Sequence, residues 1–586
     1  MRWGCSATGT RDCAVPARQQ TMCAKARPGR ARRGPAAAAA GPTEALWAAL
    51  GAAARGRAAE AGRRAGRAAG LEPLPPGFPP GPAGDQALRL ARDPLAFVAA
   101  LAAEHGGGAV GFAAAGERVV LVSDPGLARE VLADSSVWVK KGTAFFPGSG
   151  LTGEGLLTSD GAVWRRQRRL ASPAFRRAAL EAYGAQMAAS TERMLSSEKW
   201  VRGGEIDAYR DFNDLTLEIV AGALFGASVP AAQAAAVNGS IAATMEFFTR
   251  SASQALVPGW LPTPENLQFA RAVKELDRVV YGLIAERRRD LAGGPDDAEH
   301  GDLLSAMVAA TDEDGARMDD RALRDELMTM MVAGQETSAI LLAWTVALLA
   351  KHPEVQEVAR AEVLGVLAQG GRPDMTSSAA FPFVEACILE ALRLYPPAFL
   401  VGRCAHGAST TLGGAGGRTF RLPKGTTALV SPWLLHRSAA LWDDPETFDP
   451  KRWDFLLEES GGNLTRIAHH ALKDFGPNGA FIPFGAGPRN CIGTGFALVE
   501  AVLVTAALLS RCRLSFPGGD PARGFPRPDA LLTLRPASFT VAVAPVRATE
   551  AEAEAAAAAG DQQQGPRPSP GRGAGGERES IVAAAR

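Results

Sequence analysis

Cysteine is scarce in this chain of 586 residues, which has seven, none of them in a Cys-x-x-Cys pair. An odd, scattered set argues against a disulfide framework or a thiolate zinc site, and favours a reducing compartment. The formal net charge is only +1, so bulk charge gives no indication of a nucleic-acid partner. No run reaches the roughly 18 consecutive apolar residues of a membrane span. The sequence therefore predicts no helical anchor and at most peripheral membrane contact.

The two ends of the chain differ in composition from the middle. Residues 1–70 are rich in arginine and alanine, poor in acidic residues, and lack an apolar signal segment. This composition is typical of an organelle transit peptide, for a plastid or a mitochondrion; a disordered alanine-rich extension is the alternative. Prolines in residues 71–83 predict a stiff hinge. A globular domain is predicted over 84–547, and a disordered tail over 548–586.

Helical periodicity dominates the globular region from Ala162 to about Val366. One predicted helix is unusually long, from near Asp320 to Lys351, and ends before His352-Pro353. A short hairpin is predicted over 109–122, and Leu531–Val546 alternates like a terminal strand pair. The pattern predicts a mainly α fold with small β-sheets.

The most informative segment runs from Phe484 to Gly493 and has the sequence FGAGPRNCIG. Cys491 stands just before a predicted helix, where backbone N–H groups and the helix dipole favour thiolate over thiol. The glycines let the backbone approach a flat ligand closely, and Arg489 places a permanent cation nearby. For an isolated cysteine, inert packing in the core would be the better interpretation.

This segment resembles the haem-binding loop of the cytochromes P450, Phe-x-x-Gly-x-Arg-x-Cys-x-Gly, at every fixed position. The resemblance implies a P450 fold with a long distal helix over haem b. It makes Cys491 the iron ligand, and Phe484, Arg489 and Gly493 further haem-binding residues. It also implies a monooxygenase that inserts one atom of O2 into a C–H bond and takes electrons from a separate protein.

Two charged residues at i, i+3 spacing, Glu390 and Arg393, share one face of a predicted helix. Taken alone, they would be an exposed ion pair worth about 0.3–0.5 kcal/mol. Arg452 follows downstream in the segment Phe-Asp-Pro-Lys-Arg-Trp. The resemblance implies that the three residues form a buried structural network behind the haem loop.

The segment Ala333-Gly-Gln-Glu-Thr337 lies in the middle of the long predicted helix. Gly334 costs about 1 kcal/mol relative to alanine there, so a packing or functional reason is expected. Thr337 can bond the carbonyl of Ala333 and loosen the helix. A helix kink with a solvated glutamate is the alternative. The resemblance implies that Glu336 and Thr337 are the acid and alcohol that deliver protons during dioxygen activation.

Further contacts also follow from the resemblance. Trp164 and Arg168 fit a Trp-x-x-x-Arg pattern that binds the haem propionates, and Arg403 is another propionate ligand. The neighbouring cations Arg165, Arg166 and Arg169 either attract an acidic electron donor or form a solvated face. A mostly small, apolar pocket predicts a lipophilic substrate. Its expected lining is Val332, Ala333, Ala398, Phe399, Leu400 and Val401.

The segments 155–164 and 481–493 resemble two eukaryotic-type P450 groups, the plastid carotenoid ring hydroxylases and the fatty-acid ω-hydroxylases. The transit-like N-terminus favours the former, hence a carotenoid or isoprenoid substrate, a plastid location and ferredoxin as donor. Location at the endoplasmic reticulum surface would instead imply NADPH–P450 reductase. Two other functions stay open: a dioxygen-independent hydroperoxide isomerase or lyase, and a non-enzymatic haem sensor or carrier. The intact loop and Thr337 disfavour the isomerase.

Overall fold

The protein is described here by a computed structural model. It covers residues 74–106, 108–141, 150–226, 237, 239–241, 243–244, 262–293, 302–413, 419–460, 471–472, 475–530 and 532–546. The predicted transit segment, the start of the predicted hinge and the predicted tail from 548 lie outside the described residues.

Helices form most of the described chain, as the periodicity predicts. They are α1 (Ala87–Arg92), α2 (Pro94–His105), α3 (Pro125–Ala133), α4 (Gly161–Ala171), α5 (Arg177–Leu195), α6 (Glu198–Arg202), α7 (Ala208–Phe225), α8 (Pro264–Gly293), α9 (Leu303–Ala309), α10 (Asp320–Lys351), α11 (Pro353–Ala368), α12 (Pro382–Leu394), α13 (Pro432–Leu435), α14 (Asp454–Ser460), α15 (Thr494–Arg511) and α16 (Pro521–Gly524).

The strands are short and form small sheets. They are β1 (Ala109–Ala114), β2 (Glu117–Val122), β3 (Trp138–Val139), β4 (Gly204–Ile206), β5 (Val401–Ala405), β6 (Ser409–Gly413), β7 (Thr419–Pro423), β8 (Thr427–Val430), β9 (Cys512–Ser515), β10 (Pro528–Ala530), β11 (Leu534–Pro536) and β12 (Val541–Pro545). Five strands form a sheet in the order β1-β2-β8-β5-β3, and three form a second in the order β4-β12-β9. The pairs β6-β7 and β10-β11 are separate two-stranded sheets.

The five-stranded sheet is covered on both faces. Successive side chains of a strand point to opposite faces. Accordingly, Val120 and Val122 of β2 belong to one apolar cluster, while Val119 and Leu121 belong to another. This explains why the strand has a continuous apolar run rather than a polar–apolar alternation. The hairpin predicted over 109–122 is confirmed as β1–β2, which pair antiparallel.

The long helix α10 has the predicted bounds. Asp319 caps its first turn by accepting a hydrogen bond from the Ala322 N–H at 2.7 Å. It ends at His352, because Pro353 cannot continue a helix and instead begins α11. By length and composition α10 and α15 could each cross a membrane, but 78% and 61% of their most apolar windows are buried in the protein. Both are core helices of the described domain.

The two ends of the domain differ from the predicted hinge and the predicted terminal strand pair. Of the predicted hinge, residues 74–83 pack onto the sheet: Phe78 is buried, and the Pro80 carbonyl accepts the Gly111 N–H at 2.9 Å. The predicted pairing of terminal strands is wrong, since β11 pairs with β10, and β12 lies between β4 and β9. A period of two identifies a strand but carries no information on its partner.

Candidate active site around Cys491

Cys491 is presented by a tight loop just ahead of α15. The Cys491 N–H donates to the Phe484 carbonyl at 2.9 Å, closing the loop. Gly487 has φ +69°, and a Cβ there would lie 2.2 Å from the Leu132 carbonyl oxygen, so the loop can touch the end of α3 only with glycine. The Cys491 side chain remains exposed, whereas the other described cysteines are buried. Its surroundings therefore leave room for a ligand on the sulfur.

The acidity of Cys491 differs from the expectation. Although the side chain is accessible, the surrounding protein atoms desolvate the thiol and raise its pKa, and the Gly493 N–H, Arg168 and Thr494 lower it by less. The helix N-terminus alone therefore does not make Cys491 a thiolate. A metal cation would supply the missing positive charge, since coordination deprotonates a thiol outright. The surroundings of Cys491 therefore suit a sulfur that ligates a metal better than one that acts as a free nucleophile.

A cluster of cations lies beside the loop. Arg403 is 2% exposed, and its Nη1 donates to the Gly402 carbonyl at 2.9 Å. Burial and then Arg489 lower the pKa of Arg403 to about 10. Burial, Arg403 and Arg489 lower the pKa of Lys140 well below its usual value.

The counter-charge for this cluster is small. Asp160 is the carboxylate that acts on all three cations, and it forms an ion pair with Arg489. Its carboxylate also accepts the backbone N–H groups of Lys140 and Lys141 at 2.7–3.0 Å. The two buried guanidinium groups of Arg403 and Arg489 face this one carboxylate, and buried positive charge is costly unless an anion joins it. The two propionates of haem fit this requirement.

Trp164 and Arg168 contact the Cys491 loop directly. The Arg489 guanidinium lies 4.4 Å from the centroid of the Trp164 ring. Arg168 donates to both the backbone carbonyl and the side-chain oxygen of Asn490, at 2.9 Å each. In the structure, Arg168 therefore holds the residue next to Cys491, a loop contact that the propionate prediction did not include.

Two of the three cations predicted to attract an electron donor are already paired. Arg166 Nε lies 2.6 Å from Asp312 Oδ2, and Arg169 forms an ion pair with Glu313. Arg165 is exposed. The exposed positive surface of α4 is therefore smaller than the run of arginines suggests.

Glu390, Arg393 and Arg452 come together as predicted. Glu390 and Arg393 are both fully buried, with Arg393 Nη2 2.8 Å from Glu390 Oε1. Arg452 Nε lies 3.3 Å from the same oxygen, and Trp453 Nε1 donates to Oε2 at 3.1 Å. Arg393 also donates to the carbonyls of residues 436, 445 and 447 at 2.7–3.1 Å. Every charge in this network has a partner, as a buried ion pair requires.

His436 links this network to the Cys491 loop, and sequence reasoning missed it. It is fully buried, with Nδ1 3.2 Å from the Arg393 carbonyl, and Nε2 accepts the Ile482 N–H at 2.9 Å. Burial and then Arg393 lower the pKa of His436 to about 3. The ring is therefore neutral, with its proton on Nδ1.

The middle of α10 borders an internal space. Ala333 is exposed although most neighbouring residues of the helix are buried. The Thr337 hydroxyl donates to the Ala333 carbonyl at 2.6 Å, which confirms the predicted back-bond. A Cβ on Gly334 would lie 2.9 Å from Val220, so close packing against α7 explains this glycine. Glu336 is 6% exposed and accepts the Thr533 hydroxyl at 3.0 Å, so the alternative of a solvated glutamate is wrong.

The predicted substrate-pocket residues differ in exposure. Ala333 is exposed, and partial exposure is shared by Val332, Ala398, Leu400 and Val401. Phe399 is an exception: it is 2% exposed and packs with Ala530 and Leu534 in a small core cluster. It offers no surface to a ligand, because its ring is enclosed by this cluster, so the prediction that Phe399 lines the pocket is wrong.

The comparisons with known proteins agree with this geometry. A family model described as Cytochrome P450 matches residues 75–542. The chain is 33% identical to pentalenene oxygenase of Streptomyces avermitilis, over 73% of this chain and 88% of that protein. It is 31% identical to the chloroplastic cytochrome P450 97B2 of Glycine max, over 68% of this chain and 74% of the relative. The crystal structure of the cytochrome P450DA heme domain superimposes with a TM-score of 0.67 at 26% identity, covering 81% of this chain and 98% of that one.

Proposed function

Because the chain belongs to the cytochrome P450 family of haem b monooxygenases, we propose that Cys491 ligates the haem iron and that an isoprenoid hydrocarbon is the substrate. One observation carries the proposal for the iron ligand: an exposed sulfur lies beside a buried excess of positive charge. Arg403, Arg489 and Lys140 would hold the propionates. When bound, haem supplies the dioxygen chemistry, and a thiolate ligand favours O–O cleavage.

The chain's own residues then position the Cys491 loop and keep water away from the reacting face. The Arg393–Glu390 network fixes the segment that leads to the loop, through His436 and the Ile482 N–H. On α10, Glu336 can release a proton, and the Thr337 oxygen can accept a hydrogen bond at the reacting face. The apolar side chains of Val332 and Leu400 exclude water from that face.

An isoprenoid substrate is supported by two independent observations. The described pocket residues are apolar and small, which suits a hydrocarbon without polar groups. The relative from Streptomyces avermitilis is named as an oxygenase of pentalenene, a cyclic hydrocarbon. Fatty acids are the substrate class against which this proposal is tested.

The experiment uses the purified full-length chain, assayed with NADPH and either a ferredoxin system or a P450 reductase. We expect a thiolate-type carbon monoxide spectrum and hydroxylation of β-carotene or pentalenene in preference to lauric acid. Cys491→Ala should lose the spectrum and the activity, whereas Cys512→Ala, a buried cysteine beyond α15, should keep both. A colourless wild-type protein after haem supplementation would overturn the ligand assignment, and faster lauric acid turnover the substrate assignment.

We also propose a plastid location with ferredoxin as the electron donor. The arginine-rich, acid-poor segment 1–70 and the chloroplastic relative from Glycine max support it. Fusion of residues 1–73 to a fluorescent protein should direct it to plastids. Import into mitochondria alone, or faster turnover with the P450 reductase than with ferredoxin, would contradict this proposal.

A further inference from the structure

A pocket lies between the start of α7 and the β10–β11 hairpin. Its volume is about 350 Å³, and Tyr209, Asn213, Asp529 and Arg535 are among its lining residues, with Asp207 at the rim. Asp207 is exposed, and the other four are partly exposed. The pocket is therefore open to solvent and carries several polar side chains.

Glu336 lies behind this pocket. Its carboxylate accepts the Thr533 hydroxyl at 3.0 Å. Thr533 lies in the bend just before β11, two residues from Arg535, and is partly exposed. Arg535 lines the pocket, and its charge lowers the pKa of Glu336. The charge of Glu336 in turn raises the pKa of Tyr209, which also lines the pocket. The hairpin thus places Thr533 and Arg535 between solvent and the buried carboxyl.

Glu336 needs such a connection because it cannot exchange protons with bulk water directly. Its side chain is buried, with 6% of the residue exposed. Burial raises the pKa of its carboxyl, while Thr533 and then Arg535 lower it. A carboxyl held in this balance can act both as a proton donor and as an acceptor. Each proton that it gives towards Thr337 must be replaced from elsewhere.

We propose that the pocket between α7 and the β10–β11 hairpin is the solvent entrance through which Glu336 is reprotonated, with Thr533 as the relay. The Thr533 hydroxyl gives its proton to the Glu336 carboxylate and takes one from solvent in the pocket. One proton moves from bulk water to Glu336 for each proton that Glu336 releases, and no electrons move. The proposal rests on the monooxygenase function proposed above, for which it identifies a proton-relay residue.

The Asp529–Arg535 ion pair suits this role. Arg535 Nε lies 3.1 Å from Asp529 Oδ2, and the two side chains are 26% and 43% exposed. Charged groups at partial exposure keep a pocket hydrated. The pair therefore holds water next to the bend that carries Thr533.

The experiment separates proton supply from structural damage by driving one reaction in two ways. NADPH with a donor protein requires two electrons and two protons per turnover, whereas cumene hydroperoxide supplies oxygen that is already reduced and requires no proton uptake. Both routes are followed with β-carotene and with pentalenene. In Thr533→Val we expect the NADPH-driven product yield per NADPH to fall roughly tenfold, with more hydrogen peroxide and a larger solvent deuterium isotope effect. The hydroperoxide-driven rate should stay within about twofold of wild type.

Two variants complete the design. Thr533→Ser keeps a hydroxyl and should restore the NADPH-driven yield. Thr345→Val removes a hydroxyl of α10 that donates to the Leu341 carbonyl at 2.8 Å, and should leave the isotope effect unchanged. Equal losses by both routes, or a Thr533→Val enzyme that couples like wild type, would overturn the relay while leaving the monooxygenase function intact. A wild-type protein without a thiolate spectrum would overturn the monooxygenase function and the relay with it.

Discussion

The Thr337 hydroxyl is committed to its own helix, since it donates to the Ala333 carbonyl at 2.6 Å. Its oxygen can therefore accept a hydrogen bond from a ligand or water while its proton stays on the helix. Thr337→Ala removes this acceptor without a charge change in the core. We expect normal haem content but a greater share of NADPH electrons released as hydrogen peroxide, measured by peroxide and product yields. Thr337→Ser is the matched control, and full coupling in Thr337→Ala would exclude a role in proton handling.

His436 is a second residue whose removal has a defined cost. His436→Leu leaves the Ile482 N–H and the Arg393 carbonyl buried without their partner. An unpaired buried polar group costs about 1–3 kcal/mol, so the free energy of unfolding should fall by roughly 2–4 kcal/mol, with weaker haem retention. Urea denaturation and haem content measure both effects. The exposed control His406→Leu should change neither, and a His436→Leu protein as stable as wild type would contradict the proposed link.

Sequence reasoning found the residues whose motif spacing is local and missed those whose partners are remote. Cys491, Arg489 and Phe484 lie within one loop, and Glu336 and Thr337 within one helical turn. Asp160 contacts Arg489 across 329 positions, and Thr533 contacts Glu336 across 197. A single threonine or aspartate has no periodicity or spacing that indicates such a partner. Only the assembled fold identifies these contacts.

The buried network around α12 depends on one carboxylate, that of Glu390. Glu390 is fully buried and receives bonds from Arg393, Arg452 and Trp453. Glu390→Ala would leave the Arg393 charge buried without its counter-ion, which costs about 3–5 kcal/mol. We expect that loss in chemical denaturation, together with haem release at lower denaturant concentration.

The control for this variant is Glu357→Ala. Glu357 pairs with Arg513 at 3.0 Å on the surface, with side chains 52% and 42% exposed, so its removal should cost at most about 1 kcal/mol. Similar losses in the two variants would show that burial does not make the Glu390 network special.

Helix α15 carries a titratable group that makes stability depend on pH. Burial raises the pKa of Glu500 to about 8, against a smaller opposite effect of the Ser338 hydroxyl. The folded protein then keeps a proton that the unfolded chain releases above its ordinary pKa, so stability falls as pH rises towards 8.

The slope is at most about 1.4 kcal/mol per pH unit for one group. Denaturation midpoints between pH 6.5 and 8.5 should fall in wild type and fall less steeply in Glu500→Gln. Buried Glu326, with a pKa of about 8, contributes in the same direction and prevents a flat profile. An unchanged slope in Glu500→Gln would show that Glu500 is ionised in the folded state.

Among the elements, local signals predicted what local signals can determine. The helical periodicity from near Asp320 and the stop at His352-Pro353 predicted α10, and the short apolar runs at 109–122 predicted the β1–β2 hairpin. The terminal strands were misassigned because β12 pairs with β4, more than 300 positions earlier. Sheet partners chosen across that separation depend on packing of the helices between them.

Because the net charge of the whole molecule is close to zero, electrostatic attraction of a partner depends on local charged surfaces. Arg165 is the exposed cation of α4 for which the structure describes no ion pair, unlike Arg166 and Arg169. Arg165→Glu should slow reduction by an acidic donor protein severalfold at low salt, measured by stopped-flow spectroscopy, with the difference shrinking as salt increases. Arg202→Glu, an exposed arginine on α6, is the control. Identical reduction rates for Arg165→Glu and wild type would exclude docking at α4.

The cations Arg403, Arg489 and Lys140 have a consequence for biosynthesis. Like charges that face one another away from water oppose closure of the chain around them. The nascent protein should therefore complete this region only when porphyrin arrives to neutralise it, so that pigment supply, rather than translation, limits the recombinant yield of native material. Cultures given the porphyrin precursor δ-aminolevulinate should then produce more soluble protein per unit of messenger RNA than unsupplemented ones.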